Sequence, residues 1–134
     1  MASDVVSLSL GDLIRRLHNA IMDFVGAIDE TIRQDRSVSV QEIRTLRDHI
    51  RQRIQANESP EDNKQLLKIL DLFSSNSAVI ELIREDAEDW LKFLDDIEKS
   101  MERRDQSGSL SDYERKELMD IKRLTGEIKA ILRK

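Results

Sequence analysis

Four arginines, Arg44, Arg47, Arg51 and Arg53, fall within a stretch of ten residues that holds no lysine. Arg44, Arg47 and Arg51 step by three and then four, which places them on one face of a helix. A guanidinium presents a planar fork of donors suited to carboxylate or phosphate, so the chemistry this stripe offers is recognition of anions. A later segment has the opposite character. It carries Glu81, Glu85, Asp86, Glu88, Asp89, Asp95, Asp96, Glu98 and Glu102 against only Arg84, Lys92 and Lys99. Glu85, Asp89 and Asp96 give it an acidic outer face.

Three readings of this asymmetry stand open. The faces can be separately solvated, with local pairs such as Glu88–Lys92 contributing a few tenths of a kcal/mol each. They can meet, within the chain or between protomers, and fix register and partner choice. Or the arginine stripe can hold nucleic-acid phosphate. A net charge of −5 weighs against the third reading, since phosphate contact calls for an excess of cations. So does the lack of aromatic residues beside the stripe to stack on bases. The candidate partner surface is therefore Arg44, Arg47, Arg51, Arg53, Glu85, Asp89 and Asp96.

Other chemistry finds no footing in the sequence. Setting Glu114 at the last position of a calcium loop brings Gly108 to the required glycine, but puts Arg103 where the first carboxylate must stand. Setting Glu42 there puts Thr31 first and Arg36 at the glycine. His18 and His49 are the only histidines, and neither follows a glutamate by three residues as an inward-facing metal pair demands. Serines gather at turns, with no nucleophile elbow and no glycine-rich phosphate loop. No catalytic, cofactor-binding or metal residue is assigned, and the expectation is a protein that is not an enzyme and uses no cofactor.

The elements that must carry these charges follow from composition and period. The 134 residues suit one domain, 1–134, with 1–8 as a flexible N-terminus. There is no cysteine, so neither a disulfide frame nor a thiolate metal site is open to it. Charged residues reach 37%, against about 25% in an ordinary globular chain. With four glycines and one proline, this is the composition of long helices in an acidic protein. No apolar run approaches the roughly 20 residues of a membrane span, and the first residues form no secretory signal. A cytoplasmic location and no membrane partner are expected.

Apolar residues at Leu10, Ile14, Leu17, Ile21, Phe24 and Ile28 alternate steps of four and three, predicting a long helix over about 10–34 that opens on Ser9. Ser39 and Glu42 form a capping box before a second helix, whose narrow seam of Val40, Ile43, Leu46, Ile50 and Ile54 suggests an outer position. Ser59 and Pro60 mark the start of a third, short and apolar on most sides. Ser74–Ser77 is a turn signal, after which Ile80, Ile83, Ala87, Trp90, Leu94, Ile97 and Met101 predict a second long helix over about 78–104. Ser111 and Glu114 cap a fifth, through Leu118, Ile121, Leu124 and Ile128.

The fold class is all-α: a four- to five-helix antiparallel bundle with the two long helices paired as its spine. Heptad-like stripes often serve oligomerisation. The function expected is a non-enzymatic protein–protein interaction or assembly module, binding a protein partner or itself as a homo-oligomer. The alternative is a small nucleic-acid-associated regulatory protein that uses the arginine-rich second helix.

Overall fold

A computed structural model of the chain describes residues 8–26, 36–56, 58, 63–108 and 110–134. Among these residues there are six helices and no strand: α1 (Leu10–Gly26), α2 (Arg36–Gln55), α3 (Asn63–Ser75), α4 (Ser77–Arg84), α5 (Ala87–Gln106) and α6 (Asp112–Leu132).

Several of these helices begin where a short polar side chain can satisfy the first orphan amides. Ser9 Oγ accepts from the Asp12 amide at 3.2 Å. The Asp12 carboxylate does not return the bond but pairs with Arg15 at 2.9 Å. Asn76, in the serine-rich turn, accepts from the amides of Ala78 and Val79 at 3.0 and 3.2 Å. Ser111 Oγ accepts from the Glu114 amide, which is the first half of the capping box, and the Glu114 carboxylate turns back to accept from the Ser111 hydroxyl, both at 3.2 Å. Each such cap contributes on the order of 1 kcal/mol. Gly108, with φ of 72°, turns the chain out of α5 in a left-handed conformation that glycine adopts without penalty.

Elsewhere the boundaries differ from expectation. α2 begins at Arg36, so Ser39 lies inside the helix instead of ahead of it; its side chain is outside the described residues. Ser59 and Pro60 also lie outside them, as do residues 27–34 of the first long helix. The segment 78–104 is not one helix. It divides at Glu85 and Asp86 into α4 and α5, and Asp86 sits at φ −136°, ψ 56°, outside the helical region.

One apolar core runs through all six helices. Leu13, Ile14, Leu17 and Ile21 of α1 meet Ile43, Leu46, Ile50 and Ile54 of α2, while Leu66, Ile69, Leu70 and Phe73 of α3 bury completely. Phe73, Trp90 and Phe93 form an edge-to-face chain with ring centroids 5.1 and 5.4 Å apart. That geometry sets the positive edge of one ring against the face of the next and adds about 1 kcal/mol per pair beyond burial.

The expected spine of two long helices does not form. α1 packs chiefly on α2 and then on α3 and α4, whereas α5 packs on α6, α2 and α4. Each long stripe is covered by its nearest chain neighbours, which leaves little of either to face the other. α3 lies among α1, α4 and α6 and turns Leu66, Ile69, Leu70 and Phe73 to them, while Lys64, Lys68 and Asp71 leave one side of it exposed.

Because Phe73 joins α3 to the aromatic chain of α5 with no exposed area, Phe73→Ala is expected to lower the unfolding free energy by about 3–5 kcal/mol. Urea unfolding followed by circular dichroism reads this directly.

Candidate functional site: a charged seam between two parallel helices

Ile43, Arg47, Ile50 and Ile54 recur along α2 at steps of four, three and four. That spacing sets Arg47 in the apolar seam of its helix, and its side chain is only 3% exposed. The guanidinium answers burial with three contacts. Nη1 donates to Asp86 Oδ2 at 2.5 Å, Nε donates to Asp48 at 2.9 Å, and Nη2 lies 3.7 Å from Asp89. Its centre sits 4.8 Å from the centroid of the Trp90 ring, within cation–π range. Burial works to lower the Arg47 pKa, but the hydrogen bonds and charges of Asp48 and Asp86 outweigh it and hold the pKa above the ordinary arginine value.

The rest of the stripe pairs in step. Arg44 approaches Glu85 at 3.4 Å and Asp86 at 3.2 Å. Arg51 Nε donates to Asp96 at 2.9 Å, and the Gln55 amide donates to the same carboxylate oxygen at 3.2 Å. Beyond them Arg103 of α5 donates to the Ile54 carbonyl at 3.2 Å, in the last turn of α2 where carbonyls lack helical partners. Partners rise together along both helices, 44 with 85, 51 with 96 and 54 with 103. α2 and α5 therefore run in the same direction.

The basic and acidic faces thus meet within one chain. Of the candidate partner surface, Arg44, Arg47, Arg51, Glu85, Asp89 and Asp96 are brought together here. Arg53 is not: it pairs with Glu58 at 2.7 Å and donates to the Leu8 carbonyl at 2.7 Å. At the centre of the stripe Arg47 presents almost no surface to solvent. The carboxylates of the seam are engaged by guanidinium groups of α2, and what the arrangement does is fix the two helices against each other.

Sequence reasoning passed over Asp86 and Trp90, the two residues that complete the Arg47 site. Asp86 was one carboxylate among nine. The usable signal was Arg47 itself, since an arginine in an apolar seam demands a counter-ion and a surface for its stem. The other flank of α5 was equally silent. There Lys129 of α6 bridges Asp95 and Glu98, the latter at 3.0 Å. Burial lowers the Lys129 pKa, but these two carboxylates outweigh it and raise it above the ordinary lysine value. Arg104 reaches Asn63 at 2.8 Å and ties the start of α3 to the end of α5.

The polar remainder is modest. Ile54, Gln55, Asp96, Lys99 and Arg103 line an open cleft beside the seam. His18 and His49 are both half-buried, the second less solvated than its charged neighbours suggested. Among the described residues no three acidic, histidine or cysteine side chains cluster as metal ligands, and no helix is long and apolar enough to cross a membrane.

Two measurements check the electrostatics. Arg47→Ala leaves Asp86 with Arg44 as its remaining cation and is expected to cost about 1–3 kcal/mol in urea unfolding. Arg15→Ala, at a pair with both side chains about half exposed, is expected to cost at most about 1 kcal/mol. Lys129 gives the pH dependence. Its folded pKa lies above the unfolded value of about 10.4, so its contribution is fully present below that pH and is lost as pH rises through the folded value. Lys129→Met is expected to flatten the alkaline limb of stability against pH and leave the neutral-to-acid limb in place.

The chain matches no family model, no curated protein and no solved structure.

Proposed function

We infer that this chain is a non-enzymatic assembly module that binds further copies of itself through charged helix faces left over once the seam has closed. The observation that carries this reading is the outer face of α6. Arg115, Met119, Lys122 and Arg133 follow one another at steps of four, three and eleven, which keeps them on one side of the helix. Lys116 and Lys134 flank them. None of these five cations has an ion-pair partner among the described residues, and all but the half-buried Lys122 are exposed. Met119, at 70% exposed, is the most open of the large apolar side chains in the described residues.

A complementary face lies on a different part of the molecule. Glu81 and Glu88 at the α4–α5 corner are exposed and unpaired among the described residues, and Glu85 keeps 65% of its side chain in water although it touches Arg44. α4 makes its main contacts with α1, α3 and α5. The basic face of one copy is therefore free to meet the acidic corner of the next, a head-to-tail contact in which unlike surfaces join.

Light scattering coupled to size exclusion tests this. At low salt the mass is expected to exceed 15.6 kDa and to fall toward that value as added salt screens the contact. Lys116→Glu with Lys122→Glu, and separately Glu81→Lys with Glu88→Lys, are each expected to remain monomeric. Mixed together the two variants are expected to pair, since each keeps the face the other has lost. A mass of 15.6 kDa at every concentration and low salt overturns the reading.

A further inference from the structure

The break between α4 and α5 has one local support, Asp86 at the cap position with Glu88 and Asp89 in the first turn of α5. Ile83-Arg84-Glu85-Asp86-Ala87-Glu88 contains no glycine or proline, and its apolar positions continue one helical line from Ile80 through Ile83, Ala87 and Trp90 to Leu94. Aspartate is a favoured first cap of a helix, yet Asp86 makes no side-chain cap bond to α5. Its Oδ2 is instead drawn across to Arg47 at 2.5 Å and Arg44 at 3.2 Å. The broken form also strands polar atoms. Asp86 Oδ1 and Trp90 Nε1 are buried and have no hydrogen-bond partner among the described residues. The corner is thus held by two arginines from another part of the chain in place of the cap bond that Asp86 could make, and buried polar atoms beside it are unsatisfied.

We propose that the α4–α5 corner is a charge-latched conformational switch: when Arg47 and Arg44 release Asp86, residues 77–106 join into one continuous helix. In the latched state α4 folds against α1, α3 and α5 and buries Val79, Leu82 and Ile83. In the released state α4 extends along the axis of α5 and lifts these three side chains off the core. The latch is a two-state element of the kind that amplifies a local charge event into a large displacement. The switch is a property of the single chain and stands apart from self-association.

Spin labels at the exposed positions Ser77 and Lys99 report the state by pulsed electron–electron distance measurement. A continuous helix separates these backbone sites by about 33 Å at 1.5 Å per residue. The bent wild type is expected to give a shorter distance. Arg47→Met with Asp86→Ala removes both charges together, so neither is stranded, and is expected to move the main distance to about 33 Å. Amide chemical shifts of residues 84–88 are expected to become helical in the same variant. Asp86→Asn, which keeps an oxygen for Arg47 but not the charge, is expected to populate both distances.

Ala87→Pro supplies the opposing arm. Proline suits the first residue of α5 but cannot lie inside a continuous helix. Added to the double variant it is expected to restore the short distance. A double variant that keeps the wild-type distance, or that loses its cooperative helical fold, overturns the proposal. So does a long distance that survives Ala87→Pro.

Discussion

A guanidinium at 3% exposure must have its charge compensated on the spot, because an isolated ion in a poorly solvated interior costs several kcal/mol. Arg47 meets that demand with Asp86 and Asp48, and covers the flat face of its guanidinium with Trp90. The other ion pairs of the seam extend the same logic outward, from the buried Arg47 to the half-buried Arg44 and Arg51. What the seam contributes is chiefly placement. Apolar stripes of similar residues can slide past one another by a turn at little cost, whereas Arg47 must meet Asp86 and Arg51 must meet Asp96. The parallel setting of α2 against α5 is the register that satisfies both.

This division of labour also explains how the helices share the core. α1 and α2 are neighbours in sequence and cover each other's apolar faces, and α5 and α6 do the same. α3 fills the middle with Leu66, Ile69, Leu70 and Phe73. The two hairpins are joined across the seam by charge as much as by apolar contact, and Lys129 grips the far flank of α5 by the same means. α5 is consequently held by cations on both sides, which makes sense of so many carboxylates on one helix.

The helices themselves were legible because their causes are local. The period of Leu10 to Phe24, the caps at Ser9 and Ser111, and the turn at Asn76 are each set by residues within a turn of one another. The break at Asp86 was not legible, for the cap signal of Asp86 with Glu88 and Asp89 lies inside an apolar line that runs on from Ile80 to Leu94, and the arginines that hold Asp86 stand far away in sequence. Pairing of the two long stripes was misjudged on similar grounds, since length says nothing about which neighbour reaches a face first. The candidate surface was found in part: the stripe and the acidic segment were both visible as charge patterns. Their destination depended on Arg47 lying among isoleucines, a pattern present in the sequence at steps of four, three and four but outweighed by attention to charge.

The 39 residues between Arg47 and Asp86 make their pairing the closure of a long loop, whose cost is chain entropy and not helix propensity. Because that cost grows only with the logarithm of length, about 0.6 kcal/mol per doubling, the connections between α2 and α4 can lengthen without unseating the pair.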